Sequence, residues 1–283
     1  MATAAIADEI SEKPTLRWLV WELSPEFIPQ GPLKGQGYAD KFLAFFIERM
    51  PEYKHEIVWT NVNRWNVESQ RPNHCTPHVW GDFFKDTSLL SRPYTFTAPH
   101  VLIAHQRMQP RLGVPGSVLS LQTLLQDPQL RLLTVPVYIG KNEKHSRYPV
   151  LHTYLKPYIG KPNLVQYEGS RNEINLQLLK RGRADYTLGY PNTITSQKRI
   201  QNLPDEFISY RLQEHNLYKQ IYVSCRNTDF GQKVIARINT MLTESTLLTF
   251  LKYQEEWNAA DEFFRQVTIN HLIRGIPQPN VVP

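Results

Sequence analysis

Cysteine is scarce in this chain: its 283 residues include two, Cys75 and Cys225. Set far apart, they make no metal-binding pattern by themselves and offer either one disulfide in an oxidising compartment or two buried thiols. Long apolar runs are missing too. Uncharged apolar stretches such as Phe42–Ile47 and Leu132–Ile139 fall far short of the roughly 20 residues that span a bilayer, so no direct membrane insertion is expected. Neither a Gly-Lys-Ser phosphate loop nor a Gly-x-Ser-x-Gly elbow occurs, which removes the enzymes built on those motifs. Charge is not massed either: 32 basic against 26 acidic residues leave a net +6. These charges are scattered, and no nucleic-acid partner is expected.

What is present is a globular composition, 41% hydrophobic and 20% charged, in a chain long enough for two domains of ordinary size. Ala5-Ile6-Ala7 followed by Asp8 is like the small-residue cleavage site that ends an export signal, although the basic and long apolar regions of such a signal do not precede it. The chain therefore reads as an exported, periplasmic protein whose leader is absent. The competing reading is a cytosolic protein with a soft alanine-rich start.

Ser170–Pro191 is the most informative stretch. Ser170 caps a helix, Glu173 closes the capping box, and Ile174 and Leu178 follow the helical period around Leu176 and Leu179 until Gly182 ends it. Ala184–Leu188 is too short for a helix and reads as a buried strand with Gly189 and Tyr190 at its carboxyl end. Open α/β sheets bind ligands at such ends. The plainer alternative is an ordinary α/β pair in a core.

Strand and helix signals alternate on either side. Thr15–Trp21 is strand-like, Phe27–Gly37 is a loop, Ala39–Met50 is a helix and Glu56–Thr60 is a strand, an opening whose crossover makes the two strands parallel. After a poorly apolar helix over Asn61–Arg71, His74–Trp80 gives a third strand. His100–Ala104 reads as a strand leaving this domain, and the Pro- and Gly-bearing His105–Ser117 marks a domain crossing. A second module holds strands over Leu130–Ile139 and Leu164–Tyr167 with a helix over Val150–Tyr158. Strands at Phe207–Leu212 and Gln220–Ser224, then helices at Asp229–Leu242 and Glu244–Trp257, return the chain to the first domain, and the proline-bearing tail Arg274–Pro283 is loosely held. The expected division is residues 1–103 with 205–283 against residues 104–204.

Four short elements, in their order and spacing, carry a family resemblance. They are Ser24-Pro25-Glu26-Phe27, Gly37-Tyr38-Ala39-Asp40, Leu90-Ser91-Arg92-Pro93-Tyr94 in place of Phe-Ser-x-Pro-Tyr, and Gly182-Arg183-Ala184-Asp185-Tyr186. Over roughly Thr15–Trp257 the chain resembles the type II periplasmic solute-binding proteins, in particular extracellular solute-binding family 3. The resemblance implies an α/β protein of two lobes, each a mixed sheet flanked by helices, joined by a two-crossover hinge. It implies a monomer, without catalysis or cofactor, that closes on a small polar organic solute and hands it to a membrane transporter permease or a sensor domain. Amino-acid binders of the family place an arginine about six residues before the Phe-Ser-x-Pro-Tyr element and an acidic residue after the later strand. Here those places fall near Phe84 and at Tyr190. A desolvated carboxylate or ammonium without its partner costs several kcal/mol, so the usual α-amino-acid clamp is not expected.

The candidate ligand-binding residues of the first lobe are Glu22, Phe27, Trp80 and Tyr94. Glu22 offers an acceptor, and the three rings offer apolar walls, two of them with a polar handle. Their plainer roles are a solvated charge at Glu22, a plug at Phe27 and core packing at Trp80 and Tyr94. In the second lobe the candidates are Asn142, Arg147, Ser170, Asn172 and Tyr190. Asn142 and Arg147 follow a strand near a helix start and suit an anionic group, whereas Ser170 is equally a cap and Arg147 equally a solvated charge. His74-Cys75-x-x-His78 has ligand chemistry for a metal. On a strand, however, the two histidines point to one face and Cys75 to the other, so no metal site is expected. The runner-up function is an enzyme on the same scaffold, with His100, Glu22 and Asp40 as acid-base suspects; a third is an interaction module with a degenerate cleft.

Overall fold

The computed structural model describes residues 12–81, 87–138, 146–148, 150–168, 173–258 and 262–282. The chain begins with the apolar strand Thr15–Val20 (β1), which runs through the helix Tyr38–Glu48 to Lys54–Trp59 (β2). β1 and β2 pair in parallel from Thr15↔Lys54 to Val20↔Trp59, the crossover expected from the sequence. His74–Trp80 (β3) lies parallel on the other side of β1, and Ser88–Leu90 (β4) and Thr95–Thr97 (β5) follow. The chain then builds a second sheet from Val101–His105 (β6), Val118–Leu119 (β7), Leu132–Thr134 (β8), Leu164–Gln166 (β9), Tyr186–Gly189 (β10) and Phe207–Leu212 (β11). It returns as Tyr218–Arg226 (β12) and ends with Val281–Val282 (β13). The strand orders are β13-β12-β3-β1-β2, with β4 and β5 also on β12, and β7-β11-β6-β10-β8-β9. Both sheets are mixed and flanked by helices, giving two α/β lobes.

The chain passes between the sheets at residues 98–100 and 213–217, outside the expected 103/104 and 204/205. β6 pairs antiparallel with both β10 and β11, so its ladder places it in the second sheet with β11 at its side. The two passages touch: the backbone N–H of His100 donates to His215 Nδ1 at 3.1 Å. Cys75 and Cys225 face one another across the antiparallel β3–β12 pair, with Cα atoms 4.1 Å apart, and form a disulfide. The alternative of two free thiols is thereby removed.

Three expected elements change form. Within the described part of the helix expected from Ser170, which begins at residue 173, the α-helical residues are Gln177–Lys180. The side chain of Gln197 takes the backbone that would have propagated it, accepting from Leu176 N–H at 2.9 Å and donating to the Ile174 carbonyl at 2.8 Å. Gly182, at φ +72°, ends it as expected. The strand expected over Leu130–Ile139 stops at Thr134, because Pro136 has no N–H to offer and Val137 N–H goes to the Gln166 side chain at 2.9 Å. The C-terminal tail is tied down: Val281 pairs with Tyr218, whose N–H donates to the Asn280 carbonyl at 2.7 Å. A helix over Glu262–Thr268, which the sequence reading passed over, packs Phe264 and Val267 beside Phe96 and Tyr218.

Candidate functional site

The loop after β1 is shaped by hydrogen bonds to the first helix. Gly37, Tyr38, Ala39 and Asp40 form its N-terminus, and the carbonyls of Pro25 and Glu26 accept from the N–H groups of Tyr38 and Ala39 at 3.0 Å each. The Asp40 carboxylate accepts from Gly37 N–H at 3.1 Å and Ile28 N–H at 2.9 Å. Only glycine fits at 37, since a Cβ there would sit 2.2 Å from the Glu26 carbonyl oxygen. The result turns the Glu26 side chain inward, where its carboxylate accepts from Tyr38 Oη at 2.7 Å.

Between the lobes lies a cavity of about 180 Å³. The first lobe lines it with Trp21 and Glu26 after β1, Trp65 from the helix Val62–Glu68, and His78 and Trp80 of β3. Trp21 and Trp65 meet edge to face, with centroids 6.3 Å apart and planes at 88°. From the second lobe come Arg147, Tyr148, Glu173, Gly189 and Tyr190, and His100 lies where the chain enters that lobe. Tyr190 stands at the carboxyl end of β10, where the strand reading placed it, and its ring lies 4.4 Å from that of His100. Gly189 leaves room there: a Cβ would meet the Ile103 side chain at 2.7 Å.

Few charges are free inside. Burial pushes the Glu26 carboxyl up to about 7, against the opposing hydrogen bond from Tyr38, so the group titrates near neutrality. Burial also lowers His78 to about 3 and His215 to about 4, and moves His100 well down, which keeps these imidazoles neutral. Tyr148 and Tyr190 are held as phenols by burial. Arg147 Nη1 donates to the Pro136 and Tyr138 carbonyls at 3.1 and 2.9 Å, so part of this guanidinium fastens its own loop.

Of the nine sequence candidates, Trp80, Arg147 and Tyr190 line the cavity and are brought together from both lobes. Phe27 and Tyr94 do not line it. Phe27 is buried beneath the loop against His78, and the Tyr94 hydroxyl lies 3.1 Å from His78 Nδ1 and donates to the Pro77 carbonyl, so both rings serve the first-lobe core. Glu22 is half-buried outside the lining, and the acids that line the cavity are Glu26 and Glu173. Asn142, Ser170 and Asn172 fall outside the described residues, as does Phe84. Among the enzyme suspects only His100 lines the cavity, while Asp40 is occupied by the loop backbone. The His74-Cys75-His78 set is dispersed: Cys75 is in the disulfide, His78 meets Tyr94, and His74 lies 3.1 Å from Asn73 Oδ1 and 3.4 Å from Glu68. Among the described residues no group of three or more His, Cys, Asp or Glu side chains could hold a metal.

The sequence reading missed Glu26, Trp65 and Tyr148. A carboxylate set between Pro25 and the apolar pair Phe27-Ile28 was the signal for the first, and a lone tryptophan in an otherwise polar helix was the signal for the second.

Neither a protein-family model nor a curated protein matches this chain. Solved structures do. The probable amino-acid ABC transporter extracellular-binding protein YtmK of Bacillus subtilis aligns over 89% of this chain and 100% of its own, with a TM-score of 0.60 and 16% identity. The fold is that of the type II periplasmic solute-binding proteins. The same two-lobe fold appears in the VFT2 domain of Bordetella pertussis BvgS, at a TM-score of 0.56 and 14% identity over 87% of this chain and 94% of that one. A putative L-cystine ABC transporter from Listeria monocytogenes aligns at a TM-score of 0.56 and 18% identity, over 88% of this chain and 97% of its own. The cavity lies between the two sheets and is lined in part by His100, in one of the two passages that join them.

Proposed function

We propose that this chain is a periplasmic, monomeric receptor that holds a small organic solute between its lobes and presents the closed form to a membrane partner, a transporter permease or a sensor domain. One observation carries the reading: the cavity is walled by aromatic side chains that both lobes contribute, so a bound molecule touches both and its burial favours closure. The Cys75–Cys225 disulfide supports an oxidising compartment. Binding without turnover is favoured because no nucleophile, base and orienting group meet among the described cavity residues. A free α-amino acid is a poor fit, since Tyr190 stands where the ammonium partner is expected and Arg147 spends Nη1 on backbone carbonyls.

A thermal-shift screen of small metabolites, followed by calorimetry, identifies the solute through the stability that ligand binding adds. The expected hit binds at micromolar or tighter affinity, weakens tenfold or more in Trp80→Ala and in Tyr190→Ala, and lowers the radius of gyration in small-angle scattering. An unchanged radius at proven saturation overturns closure. Micromolar binding of glycine or glutamate, abolished by Arg147→Ala, overturns the exclusion of simple amino acids.

A further inference from the structure

The acid in the cavity stands where the family resemblance does not place one. Glu26 is 5% exposed, lines the cavity, and has one oxygen held by Tyr38. Around it the cavity presents three indoles, Trp21, Trp65 and Trp80, and the phenols of Tyr148 and Tyr190. Indole and phenol faces attract cations through the ring quadrupole, most strongly where water is excluded. The histidines beside them are neutral and add no positive charge. Of the remaining charges, Glu173 is a second acid, and the Arg147 guanidinium faces the partial negative charge of two carbonyl oxygens.

From this arrangement we infer that the solute is a compact organic ammonium ion with an apolar body and no carboxylate, its N–H groups donating to Glu26 and its body enclosed by Trp21, Trp65, Trp80 and Tyr190. The inference rests on the cleft being a solute site, as proposed above. Arg147 spends Nη1 on two loop carbonyls, which weakens it as a partner for a carboxylate on the same molecule, and a neutral solute leaves the acid without a charge partner when it ionises. The groups facing Glu26 make its ionisation responsive to such a ligand. Tyr38 is on the helix that follows the loop, His78 on β3 and Tyr190 at the end of β10, and none of the three is charged at neutral pH. Asp40, on the same helix as Tyr38, is held by two backbone N–H groups. An arriving ammonium then brings a positive charge to Glu26, which gives up its proton to solvent as the ion pair forms.

Three isosteric probes, benzylammonium, benzyl alcohol and benzoate, separate charge from shape in calorimetry on the whole chain. Benzylammonium is expected to bind at least tenfold more tightly than either of the others at pH 7.5. Its affinity is expected to rise at least tenfold between pH 5.5 and 7.5, with proton release at pH 7 seen as a dependence of the heat on buffer ionisation enthalpy. Glu26→Gln keeps an acceptor for Tyr38 and removes the charge; it is expected to cost benzylammonium at least tenfold and flatten its pH profile, with a smaller change for benzyl alcohol. Benzyl alcohol or benzoate binding as tightly as benzylammonium, an unchanged affinity in a folded Glu26→Gln, or no binding of any probe overturns the inference. Failure of the cleft reading itself is distinguished by the broad screen, in which no compound would then shift the melting temperature or the radius of gyration.

Discussion

Beneath the first sheet lie rings: Phe42, Phe46, Tyr94 and Phe250 approach one another with centroids 4.4 to 5.9 Å apart, and a disulfide ties β3 to β12 beside them. Beneath the second lie aliphatic chains, among them Leu102, Leu121, Leu132, Leu155, Leu176 and Leu179, with no covalent tie among the described residues. Aromatic pairs prefer particular tilts and add about 0.5–1.5 kcal/mol beyond their buried area, whereas leucines pack with less directional demand. The first lobe is thus the more rigidly specified of the two. It also contributes Glu26 and all three cavity indoles. On the proposed reading, the first lobe is the recognition platform and the second supplies Tyr190, Tyr148 and Arg147 as the cover.

The disulfide gives the largest expected difference. It bridges residues 150 apart in sequence, and constraining so long a loop in the unfolded chain is worth about 3–5 kcal/mol in the chain-entropy view. Cys75→Ser with Cys225→Ser should lower the unfolding free energy by that amount, seen as a fall in the denaturant midpoint equal to that free energy divided by the slope m. In hydrogen exchange, amides of β1, β3 and β12 should lose protection ahead of those of β6 and β10. Equal loss in both sheets would break the comparison and make the molecule one cooperative unit.

Two glycines sharpen it at intermediate scale. Gly37→Ala drives a Cβ against the Pro25 and Glu26 carbonyl oxygens at 2.7 and 2.2 Å, and backbone in a hydrogen-bonded loop yields at a cost of about 2–3 kcal/mol. Gly189→Ala meets the ends of side chains, Ile103 Cδ1 at 2.7 Å and Thr193 Oγ1 at 3.0 Å, which move for about 1 kcal/mol. Thermal melts of the two variants test the order, and a larger loss at Gly189 would reverse the assignment of platform and cover.

The pH dependence is a matter of single protons, each worth no more than about 1.4 kcal/mol per pH unit. His78, His100 and His215 have folded-state pKa values lowered by burial, so below about pH 6.5 the unfolded chain binds more protons and stability falls as pH falls. Glu26 acts in the opposite sense. Its pKa is raised from 4.5 to about 7, so between those values the folded state holds the extra proton and its contribution grows as pH falls. With three groups against one, the melting temperature should drop from pH 7 to 4.5, and Glu26→Gln should steepen that drop. A shallower drop in the variant would mean that Glu26 is ionised in the empty cleft.

Local signals carried much of the architecture. The alternation in Thr15–Val20, the aromatic periodicity of the first helix, the glycine ending at Gly182 and the short strand before Tyr190 are each written in neighbouring residues, and each forms within a few positions of where it is read. In the described part of the helix read from Ser170, the local reading gave way at Ile174 and Leu176 because Gln197, remote in sequence, claims their backbone. The division between lobes shifted for a similar reason: a strand's sheet is decided by its ladder partners, and β6 found β10 and β11.

By itself the sequence determined the alternating α/β elements, their parallel opening and the presence of Trp80, Arg147 and Tyr190 at strand ends and loops, because propensity, period and turn chemistry act over a few residues. Tertiary structure alone decided which aromatic rings line the interlobe cavity and which fill a core, and that Glu26, not Glu22, lines it. It also decided that Cys75 meets Cys225. A side chain's direction at a loop, and the partner waiting there, follow from how segments far apart in the chain are packed, which no local pattern encodes.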